Sequence, residues 1–148
     1  MVLADRSRLS ELAGLAADDD WLVRQRAVDL LEKLAHHHSD WVAPYKAVFI
    51  GPLADAEQWE IRLQVVRALP LFVWTPAEKR RVLEILRRDL DHPQTFVKAW
   101  ALDGYATLAA GSASRLEIVR AYLRRFERSG SKALAARARH IRARLSRA

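Results

Sequence analysis

The chain has 148 residues, 51% of them hydrophobic, a length that predicts one domain with a hydrophobic core. Only 5 glycines and 5 prolines argue against a turn-rich β protein, and the absence of cysteine excludes disulfides and thiolate metal sites. No segment approaches the roughly 18 apolar residues of a membrane span, and the first residues lack a signal-peptide core. We therefore expect a cytoplasmic protein without a membrane partner.

The net charge of +7 is distributed unevenly along the chain. Residues 1–114 contain 14 Lys+Arg and 16 Asp+Glu, whereas residues 115–148 contain 11 bases and only two acids. The whole positive excess lies in the last quarter of the chain, and such asymmetry is typical of proteins with an anionic partner.

Apolar residues recur at helical spacing almost from end to end, which predicts eight helices and no strand. The three acids at 18–20 are suited to a helix start, Pro76 to a first helical position, and Gly51-Pro52 and Gly111 to helix ends. The expected helices cover about 6–17, 20–35, 40–51, 57–73, 76–90, 93–109, 114–128 and 131–146.

Every second helix carries the same pattern, in which a β-branched residue and a base precede an apolar stripe. The pairs are Val23-Arg24, Ile61-Arg62 and Val97-Lys98, at offsets of 38 and then 36 residues. The intervening helices repeat as well, since Phe49, Leu86 and Tyr122 stand 37 and 36 residues apart. Two patterns with one period predict a solenoid of stacked helical pairs.

The pattern Asp18-x4-Val23-Arg24-x2-Ala27-x3-Leu31-x2-Leu34 resembles the second helix of a HEAT repeat, and the resemblance covers about residues 6–128. It implies an all-α fold, a right-handed α-α superhelix of about four helical pairs whose second helices line a concave face. The whole chain, 1–148, would form one such domain, with repeats at about 6–35, 40–73, 76–109 and 114–146. HEAT is an architecture rather than an activity, so the resemblance leaves the function open.

One row of charged positions is predicted to face outward from the concave side. On the first repeated helix, Gln25, Asp29 and Glu32 lie opposite the apolar stripe. The repeat offsets extend this face into a row of alternating sign: Asp29, Arg67, Asp103 and Arg139. The row would form either a ladder of lateral ion pairs that stabilises the stack or a groove of mixed charge that binds a peptide.

Other conspicuous residues have structural explanations. The resemblance implies that Arg24, Arg62 and Lys98 bond loop acids of an adjacent repeat. Packing in the core is the expected role of Trp21 and Trp59, and stacking on nucleobases or contact with a partner is the alternative. Three consecutive histidines at 36–38 diverge by about 100° per residue on a helix, so we expect neither a metal site nor a cofactor there.

The basic C-terminal helices admit two explanations, which are a solubilising terminal repeat and an anion-binding surface. The candidate basic patch consists of Arg120, Arg124, Arg125, Arg128 and Arg142.

No catalytic motif is present, so the sequence predicts a non-catalytic scaffold that binds a protein or peptide through its concave face. The alternative is a nucleic-acid-binding protein that uses the basic C-terminal repeat. Some alkylpurine DNA glycosylases are also built from HEAT-like repeats, but their catalytic set matches no positions in this chain.

Overall fold

The computed structural model describes residues 6–147, and this part of the chain forms eight α-helices without a β-strand. The prediction of an all-α repeat fold with eight helices is confirmed. The helices are α1 (Leu9–Leu15), α2 (Trp21–His37), α3 (Ser39–Val42), α4 (Trp59–Ala68), α5 (Pro76–Asp89), α6 (Thr95–Leu108), α7 (Ala113–Glu127) and α8 (Lys132–Ser146).

Three predicted helices are shorter than expected: the first is α-helical only over Leu9–Leu15, and a proline explains each of the other two. The helix predicted over 40–51 is α-helical only as α3 and continues as a 3₁₀ helix over Ala43–Ile50. Helix α4 ends at Ala68, before a 3₁₀ turn over Leu69–Leu71. Pro44 and Pro70 have no backbone N–H, so neither can donate the i to i−4 bond that would continue an α-helix.

Short polar side chains start several helices, as the sequence predicts. The Asp20 carboxylate accepts a hydrogen bond from the backbone N–H of Leu22 and caps α2. The hydroxyls of Ser112 and Ser131 cap α7 and α8 in the same way. These contacts satisfy backbone donors that have no partner within the helix.

The chain divides into two compact units, Met1–Ala77 and Glu78–Ala148. Each unit contains two of the four predicted helical pairs; the single-domain organisation stays a prediction. In the first unit α2 packs mainly against α4, and Val28, Leu31, Ile61 and Val65 are fully buried. In the second unit α6 packs against α7 and α8, and the buried core includes Leu102, Leu123 and Ile141.

The tryptophans at the starts of α2 and α4 correct one expectation. Trp21 and Trp59 are 37% and 36% exposed, so neither is a core residue. Trp74 does pack, since its ring is almost buried and its indole N–H donates to the Leu69 carbonyl oxygen at 2.8 Å. Trp100 lies under the Arg137 guanidinium, 4.0 Å from the ring centroid.

No helix within residues 6–147 is both long enough and apolar enough to cross a membrane.

Candidate functional site

A polar pocket of about 250 Å³ lies between α2 and α4 in the first unit. Its lining consists of Asp29, Glu32, Lys33, His36, His37, Gln64 and Arg67. We call it the α2–α4 pocket. It contains Asp29 and Arg67, so two members of the predicted charged row do line one site.

Glu32 is the central charge of this pocket. It was predicted on the solvent side of α2, but only 2% of the residue is exposed because α4 covers it. One carboxylate oxygen, Oε1, lies 2.7 Å from His36 Nε2 and 2.9 Å from Arg67 Nε. A buried carboxylate needs such partners. The partner on the facing helix α4 is Arg67, a member of the predicted charged row.

Asp29 is paired within its own helix rather than across the row. Its Oδ2 atom accepts a hydrogen bond from Lys33 Nζ at 2.8 Å. This hydrogen bond, together with the negative charge of Asp29, raises the pKa of Lys33 above its ordinary value. The predicted Asp29–Arg67 ion pair is therefore replaced by two others, Asp29–Lys33 and Glu32–Arg67.

The side-chain amide oxygen of Gln64 is a hydrogen-bond acceptor in the lining of the α2–α4 pocket. Its Oε1 atom is buried and has no hydrogen-bond partner among residues 6–147. Buried polar atoms are nearly always paired, so this acceptor is available to a donor from outside the chain, such as water or a ligand. Sequence reasoning missed Gln64, although it lies three residues from Arg67 and therefore on the same helix face. It placed Glu32 on the face of Asp29 but did not assign it to a site.

The other half of the predicted row is organised differently in the second unit. Asp103 is 8% exposed and holds two arginines of α8: Arg137 Nη1 donates to Oδ2 and Arg144 Nη1 donates to Oδ1, both at 3.0 Å. Arg144 Nη2 also donates to the Asp103 carbonyl oxygen at 3.2 Å. Arg139, the predicted partner, is exposed and makes no ion pair with Asp103.

Helix geometry explains this correction. Residues 137 and 144 are seven apart and share one face of α8, whereas residue 139 lies about 160° around the helix from residue 137. The 36-residue step leads from Asp103 to Arg139, which lies on the side of α8 away from Asp103. The binding role proposed for Asp29, Arg67, Asp103 and Arg139 as one row stays a prediction, but the lateral ladder is not formed by the expected pairs.

Two of the bases that follow the branched residues bond the turn that precedes their own helix. Arg24 Nη1 donates to the carbonyl oxygens of Asp18 and Asp19 at 2.8 and 3.0 Å. Arg62 Nη1 donates to the carbonyl oxygen of Ala56 at 3.3 Å. These bonds use backbone oxygens to tie the preceding turn to the helix; the pairing with loop acids of an adjacent repeat stays a prediction.

Three arginines of the predicted basic patch have anionic partners. Arg142 forms a two-pronged ion pair with Glu127 at 2.6 and 2.9 Å, and Arg120 contacts Glu117 at 2.8 Å. The Arg142 guanidinium lowers the pKa of Glu127, chiefly through this hydrogen bond, and the pKa of Arg142 rises correspondingly. Arg125 lies 3.7 Å from Asp91 and stacks on the Tyr122 ring.

The remaining bases of the last two helices keep their charge exposed. Within residues 6–147 no ion pair involves four exposed arginines of this region, Arg124, Arg128, Arg139 and Arg147. The predicted patch is thus reduced to Arg124 and Arg128, with Arg139 and Arg147 as additional exposed bases.

The histidine cluster has local partners. His36 contacts Glu32, and the His38 ring stacks on Trp41 with 3.8 Å between centroids. No group of three or more potential ligands within residues 6–147 is arranged to hold a metal ion.

Comparisons with known proteins identify the fold. No family matches the sequence, and no curated protein does. Among solved structures, the chain is similar to a computationally designed armadillo repeat protein for modular peptide recognition, with a TM-score of 0.68 and 18% identity. The alignment covers 92% of this chain and 63% of the designed protein, so the chain spans less than two thirds of that protein's length. The chain is a helical repeat solenoid, and a HEAT-like classification is compatible with this fold.

Proposed function

We propose that the protein is a non-catalytic scaffold that binds a protein or peptide through the α2–α4 pocket. The observation that carries this proposal is the buried, unpaired Oε1 atom of Gln64 in a pocket with charges of both signs. A peptide segment carries backbone N–H donors, which suit this acceptor, and side chains of either charge can meet Asp29, Lys33 or Arg67 at the pocket rim.

Two further observations support a peptide as the ligand. The pocket lies between the second helices of two consecutive pairs, where the sequence predicts the ligand-facing surface of a solenoid. The solved structure to which the chain is similar was designed for modular peptide recognition, and it has the same repeat fold. Extended binding surfaces are the common use of stacked helical repeats.

The test starts from a random peptide library that is selected against the full chain. The selected peptides are then titrated against the wild type and the Gln64→Leu variant by fluorescence anisotropy. Loss of one hydrogen bond to a buried acceptor should weaken binding by about tenfold. The matched control is Gln25→Leu, because Gln25 lies on α2 outside the pocket lining.

The control is expected to retain the wild-type affinity. Selected peptides that bind both leucine variants as tightly as the wild type would contradict the proposal, as would a selection that recovers no binder.

A second candidate function is nucleic-acid binding through α7 and α8. The observation in its favour is that both acids of residues 115–148, Glu117 and Glu127, are already ion-paired, which leaves several arginines with their charge exposed. Exposed arginines attract phosphate without sequence preference. The glycosylase interpretation has no comparable observation in its favour, and we do not propose it.

A further inference from the structure

A second groove, of about 350 Å³, lies between α1 and α2 in the first unit. It is lined by Arg8, Glu11, Leu12, Leu15, Val23, Arg26, Ala27 and Leu30. We call it the α1–α2 groove. Leu15 and Leu30 are 45% and 40% exposed, so large apolar side chains border the groove in contact with solvent. No residue of this groove belongs to the α2–α4 pocket.

The internal repeat shows what kind of surface this groove is. Shifting by the 38-residue offset places Val23, Ala27 and Leu30 of α2 on Ile61, Val65 and Ala68 of α4. Those three residues are fully buried in α4, a helix whose main packing partner is α2. The groove therefore exposes, on α2, the positions that are buried in α4, the equivalent helix of the next repeat.

The charges at the groove indicate the polarity of the occupant. Glu11 is paired with Arg8 at 3.5 Å, whereas Arg26 forms no ion pair within residues 6–147. The α4 position equivalent to Arg26 is Gln64, and it lines a pocket together with Glu32 of α2. Suppose that a bound helix contacts α2 in the way that α2 contacts α4. The residue of the bound helix that corresponds to Glu32 would then lie close to Arg26, and an acid at that position would pair with it.

We propose that the α1–α2 groove binds an amphipathic α-helix of a partner protein, with an apolar stripe on the groove floor and an acidic residue paired with Arg26. This is a helix-in-groove interaction on one end of the first repeat. It is distinct from the proposed peptide site, because the two sites share no lining residue and occupy adjacent faces of α2.

The α2 sequence itself supplies a probe, since this helix already covers the equivalent positions of α4. The probe is a fluorescent peptide of residues 20–38 with His37→Glu, held helical by a lactam bridge between positions 33 and 37. We expect it to bind the full chain saturably. The protein variants Leu30→Asp and Arg26→Glu should each weaken binding at least fivefold, while Arg80→Glu, in the other unit, should leave it unchanged.

A charge exchange tests the predicted register. The peptide variant Glu32→Lys should bind the Arg26→Glu protein more tightly than the unchanged peptide does, because the ion pair is restored with reversed polarity. Both protein substitutions lie on exposed side chains, and circular dichroism verifies that each variant is folded.

Three results would overturn the proposal. One is the absence of saturable binding by the helical peptide, and another is binding that ignores both Leu30→Asp and Arg26→Glu. The third is a dimer of the full chain, measured by sedimentation, that dissociates in the Arg26→Glu variant; the groove would then belong to a second copy of this chain.

Discussion

At the scale of single residues, two of the three buried acids within residues 6–147, Glu32 and Asp103, each organise a cluster of basic side chains. Each is held by basic side chains from two different positions: His36 and Arg67 for Glu32, and two arginines of α8 for Asp103. Burial makes these carboxylates sensitive to the loss of a partner, since an unpaired buried charge is far more costly than an unpaired surface charge.

We predict that Asp103→Ala lowers the free energy of unfolding by about 2–3 kcal/mol. The substitution leaves Arg137 and Arg144 without their carboxylate, although both guanidinium groups reach solvent and Arg137 keeps its contact with Trp100. Urea unfolding measures the change. The control, Glu117→Ala, removes an exposed ion pair and should cost less than about 0.5 kcal/mol. Equal effects of both substitutions would show that Asp103 is not a structural charge.

A second prediction concerns the pH dependence of the Glu127–Arg142 pair. Because Arg142 lowers the pKa of Glu127, the carboxylate stabilises the folded state above its unfolded pKa, and this stabilisation is lost as the pH falls through the folded pKa. Glu127→Gln should therefore be less stable than the wild type by about 0.5 kcal/mol near pH 7. The difference should shrink steadily on acidification. Urea unfolding over a pH series measures this difference in the free energy of unfolding. A difference that does not change with pH would show that the Glu127 carboxylate does not stabilise the fold through Arg142.

At the scale of helices, caps and prolines set the boundaries of the elements. Ser131 starts α8, where its hydroxyl accepts the backbone N–H of Leu134 at 3.2 Å. The two glycines with positive φ, Gly111 and Gly130, lie in the turns that precede α7 and α8. Since left-handed φ values are unfavourable for residues with a side chain, these turns and caps together determine where the last two helices begin.

We predict that Ser131→Ala destabilises the protein by about 1 kcal/mol, because one backbone donor of the first turn of α8 loses its acceptor. Thermal or urea unfolding provides the measurement. Lys132→Ala is the neighbouring control: Lys132 is exposed and its side chain caps nothing, so we expect a change within about 0.5 kcal/mol. A Ser131→Ala protein as stable as the control would mean that solvent satisfies the freed donor.

The same local rules explain how much could be predicted from the sequence. Eight helices and their order follow from apolar periodicity, because each helix must bury one face. Pro44 indicates that the helix predicted over 40–51 cannot continue as a regular α-helix, but apolar periodicity alone predicts a continuous one. The partners of Asp103 depend on the rotation of α8 about its axis, and the burial of Glu32 depends on how α4 packs. Tertiary packing fixes both, and no local pattern encodes them.

At the scale of the whole molecule, charge follows the division into units. Met1–Ala77 carries 8 bases and 11 acids, whereas Glu78–Ala148 carries 17 bases and 7 acids. Within the second unit the positive excess lies almost wholly in residues 115–148, which carry 11 bases and 2 acids. A peptide site in the acidic unit and an anion-binding surface in the basic unit are compatible, because they use different residues.

The nucleic-acid hypothesis predicts a strong dependence of duplex DNA binding on salt. If Arg124, Arg128, Arg139 and Arg147 each neutralise one phosphate, the slope of log K against log salt should be roughly −3 to −4. Affinity should then fall about 100-fold between roughly 50 and 200 mM salt.

The double variant Arg124→Gln with Arg139→Gln should flatten that slope by about two, since two phosphate contacts are lost. Its control is Arg8→Gln with Arg80→Gln, which removes the same charge from residues outside the basic C-terminal helices. Mobility shift across a salt series separates the two variants. An equal loss in both variants would mean that binding depends on net charge alone. Unchanged binding and an unchanged slope in the first variant would contradict the hypothesis as stated, because Arg124 and Arg139 would then contact no phosphate.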